Sequence, residues 1–360
     1  MNSSPILLRF IVLFTCMVCV QSAARDSDGR LYLIQTPNNG MPAITVPGTT
    51  FTALITEKAE LSLTENGEAY PLTAVWKRLP SGLQKAHCQL PKNVPPGTYA
   101  LKADTEKLQD TNEHAVYVFD TIPEEYHIAH ITDTHIGTQR HPRKDTAIIK
   151  DVINAVNASG ATLALFTGDL TENGHEEQFQ QFLSLLETCT MPTFVVAGNH
   201  DRQARHYELF FCKQTYAFQF GKDAYLGYDT KDYLIADDAR EQNGLLYLYR
   251  RKIRSARWSI GFTHRYDLTM GIRAQLTLFV DDPLDYVLYG HYHRETDDQD
   301  GIPWGKTKII MTPAAINGQF RIVTVDPNGL HPQETIQAAS ITLDSKTAPP
   351  TDNKQSNPAQ

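Results

Sequence analysis

The stretch FVVAGNHDR, Phe194 to Arg202, runs as an apolar strand through Ala197 and breaks at Gly198 into Asn199, His200 and Asp201. Polar groups at the end of a buried strand cost roughly 1–3 kcal/mol each when left without partners, so something beyond the strand must satisfy them. The segments before it set the frame. HIAHIT, from His127, and TLALFT, from Thr162, are two further apolar strands. Between them, HPRKDTAIIKDVINAVNASG places Ile148, Ile149, Val152, Ile153 and Val156 on one face of a helix that stops at Gly160. A second amphipathic helix presents Phe179, Phe182, Leu183 and Leu186 and leads into the strand at Phe194. This β-α-β-α-β series implies a parallel sheet with right-handed crossovers.

Downstream of Arg202 the alternating run TYAFQFGKDAYLGYD reads as an antiparallel hairpin, followed by the apolar strands WSIGFT, YVLYG, KIIMTPAA and FRIVTVD. Two sheets facing one another, with helices outside, would bury all of these. The expected architecture is α/β, a four-layer αββα sandwich over residues 123–343. Residues 25–122 differ in texture. Short β-type runs broken by turn formers, among them FTALITEKAELSLTENG, LTAVWKRLPSG and GTYALKAD, predict a small all-β sandwich of the fibronectin III or immunoglobulin kind. Asp120-Thr-Ile-Pro123 is the expected linker, since proline resists both helix and central strand.

The run ILLRFIVLFTCMVCV followed by QSAA predicts a cleaved signal peptide over residues 1–24, hence a secreted or periplasmic protein. Arg9 interrupts an apolar run already shorter than the ~20 residues a membrane span needs, and Thr15 before Cys16 is a poor match to a lipid-attachment site. No later stretch is long and apolar enough to span a bilayer. Arg9 is the only charged residue before Arg25, so loss of the leader takes the formal charge from −8 to −9. An acidic balance argues against nucleic acid as the main partner. Beyond the leader, Cys88, Cys189 and Cys212 form an odd, scattered set that matches neither a disulfide framework nor a thiolate metal site; one Cys189–Cys212 bridge and three buried thiols both remain open. The polar tail, residues 344–360, is expected to be disordered.

Five strands of the second domain end alike. HIT leads to Asp133-Thr-His135, LFT to Gly168-Asp169, VVA to Gly198-Asn199-His200-Asp201, GFT to His264, and LYG to His291-Tyr-His293. Ligands bind beyond the carboxyl ends of strands in open α/β sheets, so these residues can meet in one crevice. Asp133, His135, Asp169, Asn199, His264, His291 and His293 offer only oxygen and nitrogen donors. That set suits Mn, Fe, Zn, Ni or Co; it is too rich in nitrogen for Ca and lacks the sulfur that favours Cu(I). Seven ligand residues exceed the needs of one ion, and two ions sharing Asp169 would account for them.

The ordered blocks DTH, GD, GNHD, an isolated His and GHYH, each after an apolar strand, resemble those of the calcineurin-like metallophosphoesterase superfamily over about Tyr126 to Asp326. The resemblance implies a metallophosphoesterase sandwich in which Asp133, His135 and His293 hold one divalent or trivalent transition-metal ion, Asn199, His264 and His291 hold the other, and Asp169 bridges them. It further implies a hydrolase acting on a small-molecule phosphomonoester or phosphodiester through a metal-bridging hydroxide. His200 is then expected to face the phosphate and leaving group, with Asp201 orienting its imidazole. Purple acid phosphatases also join a sandwich domain to this fold, but their first block lacks the histidine and they use a tyrosine after GD. His135 is present here and Leu170-Thr-Glu-Asn173 follows Asp169, so the pattern looks more like the cyclic-nucleotide-phosphodiesterase-like branch.

Two rival readings are a catalytically weak binding or scaffold module of the same fold, which loss of Asp169 or His200 would have favoured, and an extracellular nuclease, which needs a basic groove. His87, His114, His127, His130 and His331 are assigned no chemistry. His175 and His206 lie close enough to the motifs to line a cleft. Arg140, Arg143, Lys144, Arg202 and Arg205 meet either a phosphate or solvent, and Tyr292 either stacks on a base or packs. Because imidazoles bind metal when neutral, activity is expected to fall as pH drops through about 6.

Overall fold

The computed structural model describes residues 28–229, 255–265, 280, 283–296 and 305–342. The expected leader over 1–24 and the tail over 344–360 lie outside the described residues.

The first 90 or so described residues form an eight-stranded sheet in the order β1-β3-β6-β5-β4-β7-β8-β2. Its strands are β1 (Ile34–Thr36), β2 (Ala43–Thr45), β3 (Thr50–Ile55), β4 (Glu60–Glu65), β5 (Glu68–Arg78), β6 (Gln84–Gln89), β7 (Gly97–Asp104) and β8 (Gln109–Val118). β5 is long enough to serve two partners, pairing with β4 through Glu68–Leu72 and with β6 through Thr73–Arg78. A strand shared in this way lets one sheet fold over itself, and the enclosed face buries Phe51, Leu61, Leu63, Ala86, Tyr99, Leu101 and Val116. The seam between β1 and β8 is closed by side chains: Asp110 accepts from the Ile34 amide at 2.7 Å, and Asn112 donates to the Ile34 and Pro37 carbonyls at 3.3 and 3.0 Å.

From β9 (Tyr126–Ile131) the chain alternates: α1 (Asp145–Ala158), β10 (Leu163–Thr167), α2 (Glu176–Leu186) and β11 (Thr193–Val196), with β9, β10 and β11 parallel. The five apolar residues expected on the first helix are all buried, as are Phe179, Phe182, Leu183 and Leu186 on the second. Each such side chain contributes about 1.5–3 kcal/mol on burial, which holds in place helices too short to persist alone in water. α3 (His206–Phe211) joins them on the same outer face, where Phe179, Phe210 and Phe211 pack together.

The second sheet has the order β12-β13-β14-β15-β16. β12 (Tyr216–Phe220) and β13 (Asp223–Gly227) form the antiparallel hairpin, and β14 (Ser259–Phe262), β15 (Tyr286–Tyr289) and β16 (Lys308–Met311) follow in parallel. β17 (Gln319–Asp326) does not extend this sheet. It crosses back to lie antiparallel beside β9, giving the first sheet the order β11-β10-β9-β17-β18, with β18 (Gly329–Pro332) at its edge. Between the sheets, Ile128, Leu165, Phe194 and Val196 meet Tyr216, Tyr225, Ile260, Phe262 and Leu288. The outer face of the second sheet carries a separate apolar cluster that includes Leu226, Tyr228, Val287 and Ile309. The expected fourth layer, over that face, lies outside the described residues. Among the described residues no helix is long and apolar enough to cross a membrane.

The segment upstream of β1, together with the turn after it, lies against the second domain. Leu31 donates to the Leu209 carbonyl at 2.8 Å, Val195 donates to the Gly40 carbonyl at 2.9 Å, Thr193 donates to Asn39 at 2.7 Å, and Arg30 pairs with Glu176. Gly40 has φ +113°, and a Cβ there would stand 2.6 Å from Phe211 Cδ1 and 3.1 Å from Val195 Cγ2. Gly40→Val is therefore expected to lower stability by about 1–3 kcal/mol, the range for overpacking a tight site. A urea melt of the variant that superimposes on wild type would refute this contact. Cys88 and Cys189 are buried free thiols, so the Cys189–Cys212 bridge left open by the sequence is not formed.

Candidate metal centre

Each of the five strand ends delivers its polar residues to one crevice where the two sheets meet. Main-chain bonds lock the ends together: Asp133 donates to the Gly168 carbonyl at 3.0 Å, His135 to the Asp169 carbonyl at 2.9 Å, and Gly290 to the His264 carbonyl at 3.0 Å. Across the sheets, the His291 amide donates to Asp133 Oδ2 at 2.9 Å.

Glycine makes the approach close enough. A Cβ on Gly198 would lie 2.1 Å from Asp169 Oδ1, and one on Gly290 would lie 1.8 Å from Thr132 Oγ1 and 2.5 Å from Asp133 Oδ2. The candidate ligand residues themselves adopt backbone that glycine usually takes. Asp133, His135, Asp169, His291 and His293 have φ of 54°, 44°, 47°, 69° and 53°. Left-handed backbone costs an L-residue about 1–2 kcal/mol, and it persists where the surrounding structure holds it.

Two clusters gather the expected ligands, and a third group brings His135 together with Glu172 and His200. In the first, His293 Nε2 is 3.0 Å and His135 Nε2 is 3.7 Å from Asp133 Oδ1. In the second, His264 Nε2 is 3.0 Å from Asp169 Oδ2 and 3.1 Å from His291 Nδ1. Asp169 Oδ2 is also 3.8 Å from His135 Nε2, so this one oxygen stands between the clusters. Atoms about 2.0–2.2 Å from a common ion lie at separations of this order. Asn199 Oδ1 and both ring nitrogens of His135 are buried and meet no hydrogen-bond partner among the described residues. Buried polar atoms seldom go unmatched, and orphans in an oxygen and nitrogen donor set fit transition-metal ions.

Hydrogen bonds orient several of the rings. His264 Nδ1 is 2.9 Å from the Thr167 carbonyl, which makes that nitrogen the donor and leaves Nε2 to face Asp169. Burial alone would raise the Asp133 carboxyl, but His135, His264 and His293 hold it well below the usual carboxylate range. Burial would likewise lower His264, yet Asp169 and Asp133 outweigh it and raise the imidazole to about 9. Burial and the nearby His264 push His291 down.

The sign of the resulting pH dependence is fixed. The metal-free fold binds the His264 proton more tightly than an unfolded chain does, so that proton adds stability below about pH 6.5, and the contribution is lost as pH rises to about 9. A metal must displace it. Ion binding near pH 7.5 is expected to release about one proton from His264, with apparent affinity rising roughly tenfold per pH unit towards 9. Proton competition thus begins above the pH of about 6 expected from a free imidazole. Titration calorimetry in buffers of different ionisation enthalpy reads the release directly, and zero proton release would refute the charged His264.

His200 stands at the rim, its side chain 34 % exposed and its Nε2 4.0 Å from Asp169 Oδ2. The resemblance gave Asp201 the task of orienting this ring, and the structure corrects that. His200 Nδ1 is bonded to the main-chain carbonyl of Glu172 at 2.6 Å. Asp201 is fully buried and accepts instead from the Gly198, Leu170 and Thr171 amides and the Thr171 hydroxyl, at 2.8, 3.0, 2.9 and 2.8 Å. A carboxylate with four donors aimed at it has no geometry left for a neighbouring imidazole, so Asp201 fixes the two loops that carry Asp169 and Asn199.

Glu172 was not singled out in the sequence. Its carboxylate Oε2 lies 2.8 Å from His135 Nδ1, and Arg140 Nη2 contacts both carboxylate oxygens at 3.1 and 3.3 Å. The signal available was its place in the loop after a strand end. Of the other basic side chains, Arg143 pairs with Asp151, Arg202 with Asp229 and Arg205 with Glu208. His206 is bonded to the Gly174 carbonyl at 2.9 Å, while His175 caps the start of α2 without a side-chain bond to it. His130 is a neutral core residue between Thr167 and Thr312, lowered to about 3 by burial and Arg321. Tyr292 is 52 % exposed beside the His291 ring.

Residues 126–295 match the family description of the calcineurin-like phosphoesterases. A probable cyclic nucleotide phosphodiesterase of Colwellia psychrerythraea is 32% identical over 80 residues, covering 20% of this chain and 30% of that protein. A probable glycerophosphodiester phosphodiesterase of Arcobacter nitrofigilis is 30% identical over 80 residues, covering 21% of this chain and 29% of that protein. The chain thus spans under a third of the length of these curated relatives. Among solved structures, a purple acid phosphatase from yellow lupin seeds is similar with a TM-score of 0.48 at 12% identity, over 77% of this chain and 68% of that one. A dimetal phosphatase from Danio rerio is similar with a TM-score of 0.41 at 11% identity, over 59% of this chain and 98% of that one.

Proposed function

Residues 126–295 belong to the calcineurin-like phosphoesterase family, and from that premise we propose that the chain is a secreted dinuclear-metal phosphoesterase acting on small-molecule phosphoesters. The observation that carries the reading is the pair of ligand clusters meeting at Asp169, with Asn199 Oδ1 and His135 Nε2 buried and unmatched among the described residues. Asp133, His135 and His293 would hold one ion, Asn199, His264 and His291 the other, and Asp169 both. The chemistry two such ions supply is activation of water and polarisation of a phosphoryl oxygen.

The protein's own groups do the rest. With Nδ1 bonded to the Glu172 carbonyl, His200 has Nε2 left to carry a proton towards a departing alkoxide. The Thr167 carbonyl keeps His264 turned to the centre, and the Asp201 carboxylate holds the loops of Asp169 and Asn199 at one spacing. The names of the relatives favour diesters over monoesters.

Initial rates on a chromogenic phosphodiester and the matching monoester test this, with chelator-stripped protein and Mn, Fe, Zn or Ni added back. Turnover that needs metal and is faster on the diester is expected. Equal rates with and without chelator would contradict the proposal. Export is read separately: the intact mass of the mature protein is expected to correspond to a chain beginning near Arg25, and a chain that retains the leader would count against secretion.

A further inference from the structure

Glu172 reaches both halves of the proposed chemistry by different parts of itself. Its main-chain carbonyl accepts from His200 Nδ1 at 2.6 Å, and its carboxylate Oε2 stands 2.8 Å from His135 Nδ1. Its amide, bonded to the Ile136 carbonyl at 2.9 Å, ties the loop to the segment that carries His135. Arg140 contacts both oxygens of the carboxylate from the solvent side, which holds the group turned inward.

His135 is 1% exposed, and its ring can present either nitrogen to an ion. Only Nε2 points at Asp133 Oδ1 and Asp169 Oδ2. A carboxylate this close to Nδ1 would hold the proton on that side and so leave Nε2 as the ligand. The 2.8 Å approach lacks hydrogen-bond alignment in the metal-free arrangement, and apo contacts of this kind commonly align only when the site is occupied.

We infer that Glu172 is a positioning residue whose carboxylate fixes His135 as an Nε2 ligand, while its main chain independently fixes His200. The inference rests on the proposed two-ion centre. It separates two roles that a single substitution can split, because replacing the side chain leaves the carbonyl in place.

The test is calorimetric titration of Mn(II) into chelator-stripped wild type, Glu172→Ala and Glu172→Gln, with the melting temperature of each metal-free protein measured alongside. Wild type is expected to bind two ions. Glu172→Ala is expected to bind one of them about 10–100-fold more weakly and to keep the other unchanged. Glu172→Gln, whose amide oxygen still accepts from Nδ1, is expected to recover much of that loss. Unchanged affinity for both ions in Glu172→Ala would overturn the inference. So would complete loss of one ion in both variants, which would make Glu172 a direct ligand. Wild type binding fewer than two ions would instead overturn the dinuclear reading beneath it. If Glu172→Ala does not fold, the near-isosteric Glu172→Gln carries the test: a loss smaller than tenfold, confined to one ion, supports the role, and equal weakening of both ions refutes it.

Discussion

Asp169→Asn is expected to lower kcat on the order of 10³-fold or more, the scale of removing a principal electrostatic stabiliser from a buried site. Asp169 Oδ2 is 3.0 Å from His264 and 3.8 Å from His135, so it faces both clusters. The amide preserves shape but removes the negative charge that the two cations of the proposed centre would share. Its oxygen can still accept from the His200 amide, which now meets Oδ1 at 2.9 Å, so the loop is expected to keep its place. The loss should therefore appear in ion stoichiometry and kcat, with little change in the circular dichroism spectrum. Metal content and initial rates measured on the same sample check this, and a variant that retains two ions and full turnover would remove Asp169 from the centre of the account.

His200→Ala has the second largest expected effect, and it separates acid chemistry from metal binding. The ring is turned by the Glu172 carbonyl so that Nε2 faces the crevice mouth. Loss of a general acid costs about 10²–10⁴-fold in rate. The size should depend on the leaving group, because a nitrophenolate departs without a proton and an alkoxide does not. We expect a small loss on a nitrophenyl ester, a loss near the upper end of that range on an alkyl ester, and an unchanged count of bound ions. A loss of equal size on both esters would mean that His200 stabilises the phosphoryl group and is not the acid.

Much of this was legible in the sequence for a definite physical reason. A strand buried on both faces is an unbroken apolar run, and a polar residue directly after it stands out, as Asp133, Asp169 and Asn199 do. The helices were legible because Ile148, Val152 and Val156, or Phe179, Phe182 and Leu186, repeat with the helical period. Relations between distant segments were not. β17 reads as a strand, but nothing local says that it returns to pair with β9. The clasp of Asn39 and Gly40 on Thr193 and Val195 joins residues more than 150 positions apart. Glu172 is one acidic loop residue among many acids, and its meaning comes from His135, which the fold alone brings to it. Asp201 misled for the opposite reason. Adjacency to His200 in the chain suggested a contact, while its side chain turns the other way to four donors on neighbouring loops.

The central claim is that two ions at Asp169 carry out phosphoester hydrolysis, and the most direct measurement is turnover of an aryl phosphodiester as metal is added stepwise to chelator-stripped protein. The rate is expected to climb with added ion and to level off at about two equivalents per chain, the number expected of a two-metal hydrolytic site. A chain that binds two ions and remains inactive, or one that turns over fully at zero equivalents, would contradict it.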